Sequence, residues 1–343
     1  MKTKLIAAAL LMFAAPAFAD TLITGAGSTF VYPIASKWFS DYNKLHPAEK
    51  FNYQSIGSGG GVKQITEKTV DFGASDAPMT DAELAKAGAP IVQLPVTLGA
   101  VVVAFNVPGV TALNLSPKTL GGIFLGTITK WNDPAIAAEN AGVKLPDMAI
   151  AVAHRSDGSG TTAIFTDYLA KVSPEWKAKV GAGKSVKWPV GLGGKGNEGV
   201  TGLVKQAPGG IGYVELAYAN QNKLAMAAIQ NQEGAFVKPS IESTSAAGAG
   251  VQMPNDFRVS ITNPAGKASY PISGFTWILV YKDQTDATKG PAIVKFLWWA
   301  IHDGQKVAPA LDYAPLPEPV VKKVEAALKT ITVQGKPALA SNP

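Results

Sequence analysis

Three loops rich in glycine, serine and threonine each run directly into a segment with a helical pattern. They span residues 24–30 (TGAGSTF), 56–61 (IGSGGG) and 157–162 (DGSGTT). The first turn of a helix carries backbone N–H groups without intrahelical partners and a partial positive charge, and glycine lets a ligand approach them closely. Each loop taken alone is better explained as an N-cap after a tight turn. Together the three loops indicate a site for a small anion.

Arg155 and Asp157 stand two residues apart where a predicted strand ends, so their side chains can point the same way and hold each other. A guanidinium fixed in this way presents a planar fork of donors that matches a tetrahedral oxyanion. The same spacing also fits a surface ion pair that contributes little to stability. The spacing does not separate these two interpretations.

Asp76 follows a β-like run that begins at Val70, and it would repel an anion if it served no other purpose. Near neutral pH phosphate keeps at least one proton that a carboxylate can accept, whereas sulfate has none. A ligand-facing Asp76 would therefore select phosphate over sulfate. The alternative is a turn aspartate before Ala77 and Pro78, which is the commoner role of aspartate in such a sequence.

Seven motifs carry a resemblance that extends over nearly the whole chain after residue 19. They are TGAGSTF (24–30), GSGGGVKQ (57–64), VDFGASDAP (70–78), RSDGSGT (155–161), KWPVGLGGKGN (187–197), GIGYVE (210–215) and LDYA (311–314). In these motifs and their order, the sequence resembles the periplasmic phosphate-binding proteins of phosphate ABC transporters, the PstS type. The resemblance implies a two-lobed, type II-like periplasmic binding protein that buries phosphate in the cleft between its lobes, without a metal or other cofactor.

Carried over position by position, the resemblance implies a set of phosphate ligands. These are Thr29, Phe30, Ser58, Asp76, Arg155, Ser159, Gly160 and Thr161. In this set Asp76 accepts a proton from the ligand, and Arg155, oriented by Asp157, is the charged donor. The other residues supply hydroxyl and backbone N–H donors. The chain departs from the family pattern at Gly59, at His154 and over residues 234–264, and none of these departures removes an implied ligand. His154 alternates to the face opposite Arg155, so it is predicted to be a packed or surface side chain.

Helical and β-like segments alternate along the chain, so the sequence predicts an α/β fold with mixed sheets flanked by helices. A helix is predicted where Ile34, Trp38, Tyr42 and Leu45 recur at helical spacing, and residues 80–83 match a capping box. The predicted strands are 91–96, 100–105, 148–153, 211–216 and 275–281. The small-residue run 243–250 is predicted to be a loop.

The chain is long enough for two lobes. The first lobe is predicted to be discontinuous, with residues 20–97 and 272–343, and the second to contain residues 98–271. The crossings between them are expected near residues 96–100 and 269–274.

The first 19 residues have the pattern of a cleaved signal peptide. Lys2 and Lys4 precede an apolar run over residues 5–18, and the sequence Ala-Phe-Ala ends at residue 19. This run is shorter than a membrane-spanning helix, and no later apolar stretch is long enough to span. Export predicts the periplasm of a Gram-negative bacterium, where the absence of cysteine from the sequence is tolerated.

Composition excludes several function classes. The formal net charge is +6, but the lysines are scattered singly, which argues against nucleic-acid binding. Without cysteine, neither a disulfide framework nor a thiolate metal site can form. The resemblance therefore implies capture of phosphate and its delivery to membrane permease subunits, by a protein that is not an enzyme. A diffusing carrier of this kind is expected to be a monomer.

Three alternatives stay open. Gly191, Gly193 and Gly196 form a GxGxxG motif after a β-like run at 185–190, which would suit a dinucleotide-binding enzyme. An exported phosphatase would bind phosphate as a product, but the site serines have no evident base. A binding protein for another oxyanion, such as sulfate or molybdate, is the closest rival, and Asp76 is the residue that argues against it.

Overall fold

The computed structural model describes residues 20–339. Its strands are β1 Thr21–Gly27, β2 Glu49–Ser55, β3 Phe72–Ser75, β4 Ile91–Asn106, β5 Asn114–Leu115, β6 Ala151–Arg155, β7 Leu192–Gly194, β8 Gly210–Glu215, β9 Ala225–Met226, β10 Ala228–Gln230, β11 Phe236–Val237, β12 Ser273–Tyr281, β13 Asp283–Gln284, β14 Thr332–Val333 and β15 Lys336–Pro337. The signal peptide predicted for residues 1–19 lies outside the described residues.

Twelve α-helices and two 3-10 helices lie within residues 20–339. The α-helices are α1 Tyr32–Leu45, α2 Ser58–Thr66, α3 Asp81–Lys86, α4 Pro117–Leu125, α5 Pro134–Glu139, α6 Gly160–Val172, α7 Pro174–Lys179, α8 Gly196–Gln206, α9 Leu216–Gln221, α10 Ile241–Ala249, α11 Lys289–Ile301 and α12 Glu318–Leu328. The 3-10 helices are Asp303–Val307 and Pro309–Leu311. Within this part of the chain, no helix is both long enough and apolar enough to cross a membrane.

A nine-stranded mixed sheet forms the frame of the molecule, in the order β2-β1-β3-β12-β4-β8-β6-β7, with β9 also paired to β4. The strands β1, β2 and β3 pair in parallel, as do β6, β7 and β8. Both sets connect through β4, which pairs antiparallel with β12 and β8. The predicted α/β class with mixed sheets and flanking helices is confirmed.

Strand β4 joins the two halves of this sheet, because it changes partner along its length. Residues 91–100 pair with β12, and residues 101–106 pair with β8. The prediction of two separate strands here was wrong. Gly99, which separates the two predicted runs, lies within the strand, and a Cβ there would be 2.5 Å from the Phe30 ring, so the glycine serves close packing. The change of partner falls close to the predicted lobe crossing, and the lobe boundaries themselves stay a prediction.

Helix boundaries follow the capping signals in the sequence. Thr80 caps α3 in a capping box with Glu83, as predicted. In α1 the side chains of Ile34, Trp38 and Tyr42 are buried, whereas Leu45, predicted on the same face, is 61% exposed at the helix end. The periodic pattern therefore identifies the helix and its core face correctly except for its last residue.

Residues 243–250 were predicted to be a loop, and this was wrong. Residues 243–249 belong to α10, which begins after the N-cap Ser240 with a second capping box, and Gly250 is the C-cap of this helix. The small residues allow close packing on the sheet, since a Cβ at Gly248 would be 2.4 Å from the Leu98 side chain. A run of small residues thus reflects tight helix packing here, and not a flexible turn.

Candidate anion-binding site

The first Gly/Ser/Thr loop connects β1 to α1 and is fully buried. Ser28 Oγ accepts the Phe30 N–H at 3.0 Å and donates to Asp76 Oδ1 at 2.5 Å. The Thr29 carbonyl accepts the Tyr218 hydroxyl at 2.6 Å. The Phe30 N–H, predicted to bind the ligand, is thus paired with Ser28 in this structure, while Thr29 and Phe30 are both buried as a ligand site requires.

The second loop ends at the start of α2, where Ser58 is buried next to Asp76. Ser58 Oγ donates to Asp76 Oδ2 at 3.3 Å and accepts the Asp76 N–H at 3.1 Å. The N-cap Gly57 has a φ of 88°, a conformation that favours glycine. A Cβ on Gly57 would also be 2.1 Å from Asp157 Oδ2. This glycine therefore allows the second and third loops to meet.

Asp76 follows β3 and lies among hydroxyl donors. Its Oδ1 accepts from Ser28 at 2.5 Å and from Thr276 at 2.7 Å, and its Oδ2 accepts the longer bond from Ser58. Two donors fill the lone pairs of Oδ1, so Oδ2 is the oxygen with acceptor capacity left. Burial raises the pKa of Asp76 to about 6, although the Ser28 and Thr276 hydroxyls act to lower it.

The third loop connects β6 to α6 and holds the Arg155–Asp157 pair. The pair is bidentate, with Nε to Oδ1 at 2.7 Å and Nη2 to Oδ2 at 2.5 Å. The side chains are only 1% and 13% exposed, so the interpretation as a surface ion pair was wrong. Burial alone would raise the pKa of Asp157, but the bonds from Arg155 and from the Gly196 N–H hold it below its ordinary value.

The start of α6, which follows β6 in one half of the sheet, lies next to Asp76, which follows β3 in the other half. Ser159 is the N-cap and accepts the Thr162 N–H at 3.0 Å, and Thr161 Oγ1 accepts Arg155 Nη1 at 3.3 Å. A Cβ on Gly160 would lie 2.5 Å from Ser58 Oγ and 2.6 Å from Asp76 Oδ2. Only a residue without a side chain permits this approach. A cavity of about 340 Å³ adjoins this junction beside Asp76.

The structure brings all eight predicted ligand residues into one buried region between the two halves of the sheet. All eight are buried, and Thr29, Asp76 and Arg155 are at most 3% exposed. His154 lies outside this region, because its ring stacks on Trp188 at 4.8 Å. The prediction that His154 packs away from the site is therefore confirmed.

Three residues that contact this region were not predicted as ligands or partners of the site. Ser28 and Thr276 bind Asp76, and Asn197 binds the Thr29 and Thr161 hydroxyls. Ser28 lies within the first loop motif, so the sequence held a signal for it. Thr276 is 200 residues from Asp76 and is placed only by the pairing of β3 with β12.

Residues 20–339 contain no cluster of histidine, cysteine, aspartate and glutamate side chains that could hold a metal ion. The candidate site itself consists of hydrogen-bond donors and the two carboxylates described above, Asp76 and Asp157. One guanidinium, hydroxyls and helix N-termini surround Asp76, a carboxylate that is not paired with a cation. This arrangement suits an oxyanion that carries a proton.

Comparison with known proteins places the chain in a family. Residues 14–303 match the model of the PBP superfamily domain. A phosphate-binding protein PstS from Pasteurella multocida is 52% identical over 312 residues, which cover 90% of each chain. Another, from Xylella fastidiosa strain 9a5c, is 50% identical over 308 residues, 89% of this chain and 84% of that protein. The chain belongs to the PstS family of phosphate-binding proteins.

One solved structure has the same fold as this chain. It is that of a high-affinity periplasmic phosphate-binding protein bound with phosphate, with a TM-score of 0.74 over 89% of this chain and 93% of the other, at 22% sequence identity. The two-lobed periplasmic binding protein fold predicted from the sequence is confirmed.

The dinucleotide-binding alternative for the GxGxxG motif was wrong. Residues 185–190 do not form a strand, and the motif instead contains β7 and the start of α8. Its third glycine, Gly196, donates its N–H to Asp157 Oδ1 at 3.0 Å. Gly196 therefore supports the Arg155–Asp157 pair.

Proposed function

We propose that the protein binds inorganic phosphate and delivers it to the membrane permease of an ABC transporter. The observation that carries this proposal is the carboxylate of Asp76, which is buried among donors from three helix starts. The relatives at about half identity are phosphate-binding proteins by name, which supports the same ligand.

The proposed ligand set contains donors from both halves of the sheet and one acceptor. It consists of Thr29, Phe30, Ser58, Asp76, Arg155, Ser159, Gly160 and Thr161, with Asp157 orienting the guanidinium. In the proposed lobe division, residues 20–97 and 272–343 supply the first four ligands and residues 98–271 supply the others. Phosphate stabilises the closed state because it contacts both lobes there, and only one when they separate.

Selection of phosphate over sulfate follows from proton count. Oδ2 of Asp76 accepts a hydrogen bond from the protonated oxygen of phosphate, and this bond offsets the repulsion between two negative groups. Sulfate has no proton to offer, so its oxygen would face a buried carboxylate without relief. Molybdate is disfavoured for the same reason, because a fully deprotonated dianion has no proton to donate to Asp76.

A phosphatase is a weaker candidate, because no histidine lies beside the serines of the site. The three histidines lie elsewhere: His46 stacks on Tyr42, His154 stacks on Trp188, and His302 pairs with Glu325. The proposal is therefore a binding protein without catalytic activity. We further propose a monomer that is exported to the periplasm by the signal peptide of residues 1–19.

Calorimetric titration of the purified protein with phosphate tests this function. We expect saturable binding of one phosphate per chain with a Kd of about 1 µM or tighter, since buried charged hydrogen bonds dominate the site. A phosphomonoester added to the same preparation should release no product. Absence of saturable phosphate binding, or turnover at a typical enzymatic rate of about 1 per second or faster, would refute the proposal.

A further inference from the structure

We infer that Asn197 fixes the hydroxyl protons of Thr29 and Thr161 so that both groups can only donate to the bound anion. This inference rests on the proposed function and assigns a positioning role to a residue outside the proposed ligand set. Asn197 lies in the first turn of α8 and is fully buried. Its side chain contacts two of the proposed ligands, Thr29 and Thr161.

The orientation of the Asn197 amide is fixed by its partner on β8. Its Oδ1 accepts the backbone N–H of Glu215 at 2.9 Å. A backbone N–H can pair only with the amide oxygen, so the Nδ2 group must point the other way. There it donates to Thr29 Oγ1 at 2.8 Å and to Thr161 Oγ1 at 3.2 Å. One amide thus uses both of its protons on the two hydroxyls.

Each of these hydroxyls already accepts two hydrogen bonds. Thr29 Oγ1 accepts the backbone N–H of Asn197 at 3.1 Å as well as its Nδ2. Thr161 Oγ1 accepts Arg155 Nη1 at 3.3 Å as well as Asn197 Nδ2. A hydroxyl oxygen has two lone pairs, so both are filled in each threonine. The remaining proton of each hydroxyl is free only to donate.

The consequence concerns ligand selection. If both hydroxyls are obligatory donors, Asp76 stays the acceptor for the proton of the ligand, and the site accommodates one protonated oxygen. Without Asn197 each hydroxyl would regain a lone pair and rotational freedom, so it could accept a hydrogen bond and would lose entropy on binding. Asn197 therefore contributes to phosphate affinity by pre-organising two donors, one on each side of the junction between the sheet halves.

A purely structural role for Asn197 is the competing explanation, because it also connects α8 to β8. The interaction energy between Asn197 and the two threonine hydroxyls, measured in a mutant cycle, distinguishes the positioning role from the structural one. We propose to measure phosphate Kd by calorimetry for the parent, for Asn197→Ala, for the double variant Thr29→Val/Thr161→Val, and for the triple variant. We expect Asn197→Ala to weaken binding roughly 10- to 100-fold in the parent, and by less than about threefold when both hydroxyls are absent.

Asn197→Asp provides a second measurement if the alanine variant does not fold. The aspartate keeps an oxygen for the Glu215 N–H, but when ionised it accepts from the two hydroxyls and turns their protons away from the ligand. We expect it to bind phosphate at least as weakly as the alanine variant near neutral pH. Relative to the parent, it should recover affinity as the pH falls, because a protonated carboxyl can donate again.

The outcomes distinguish this inference from the proposed function. A parent that does not bind phosphate overturns both. If the parent binds phosphate, two results would overturn only the role of Asn197. The first is that Asn197→Ala and Asn197→Asp both bind phosphate within about threefold of the parent. The second is that the alanine change weakens binding by the same factor with and without the two hydroxyls. Coupling in the cycle, together with pH-dependent recovery of Asn197→Asp, supports the inference.

Discussion

Replacing Arg155 by alanine is expected to weaken phosphate binding roughly 100- to 1,000-fold, as measured by calorimetry. The side chain is 1% exposed, and truncating one partner of a buried, hydrogen-bonded charge pair costs about 2–5 kcal/mol. The variant also removes the cation that pairs with the Asp157 carboxylate, so a largely buried carboxylate without this counter-charge adjoins the anion. Thermal unfolding should show that the variant still folds cooperatively.

The matched control is Arg258, the only other arginine in the sequence. Its guanidinium pairs with Asp81 and Asp256, and its side chain is 32% exposed. Since surface ion pairs contribute about 0–1 kcal/mol, Arg258→Ala should change phosphate Kd by less than about fivefold. Arg155→Lys should fall between parent and alanine variant, because it keeps the charge but loses the planar fork. Parent-like affinity of Arg155→Ala would exclude the proposed role.

Replacing Asp76 by asparagine is expected to lower the ratio of phosphate to sulfate affinity by roughly 100-fold. The asparagine oxygen can still accept from Ser28 and Thr276, but its Nδ2 group then faces the ligand as a donor. Phosphate loses the acceptor for its proton, while sulfate no longer meets a buried carboxylate. Separate titrations of the variant with the two anions give the ratio.

The same variant should be more stable than the parent in the absence of phosphate. Burial raises the pKa of Asp76 in the folded state to about 6, above its ordinary value of 3.8, so folding favours the protonated form. The contribution of Asp76 to the free energy of unfolding is therefore complete below about pH 4 and is lost as the pH rises through about 6. The loss at neutral pH is about 3 kcal/mol. The variant should therefore gain up to about 3 kcal/mol near neutral pH, and the gain should vanish near pH 4.

Asp167 is the matched control for Asp76, since it lines the same cavity. Burial would raise its pKa, but hydrogen bonds from Ser260 and Thr262 and the nearby Lys171 hold the pKa below its ordinary value. Its charge therefore stabilises the fold, and Asp167→Asn should lower stability at neutral pH while leaving the anion ratio unchanged. Equal anion ratios in the Asp76 variant and the parent would show that Asp76 does not select the ligand.

The sequence predicted the parts of the site that depend on local geometry. A Gly/Ser/Thr loop before a helix, or an arginine two residues from an aspartate, has the same meaning whatever the rest of the chain does. The fold class and the core face of α1 follow from periodicity in the same way. These predictions therefore needed little knowledge of which segments pair.

The missing parts depend on pairing between distant segments. Thr276 reaches Asp76 because β12 lies beside β3, and Asn197 reaches Thr29 because α8 packs on β8 next to the first loop. No local pattern marks either contact. Burial of the Arg155–Asp157 pair was likewise undecided, because the spacing fits both a surface and an interior location. The run 243–250 was misassigned since small residues fit both a loop and a closely packed helix.

The most direct test of phosphate capture through Asp76 is calorimetric titration of the parent protein with phosphate and with sulfate, each over a range of pH around neutrality. The proposed site predicts tight binding of phosphate and binding of sulfate that is hundreds-fold or more weaker, a difference on the order of 3–4 kcal/mol. Comparable affinity for the two anions would contradict it.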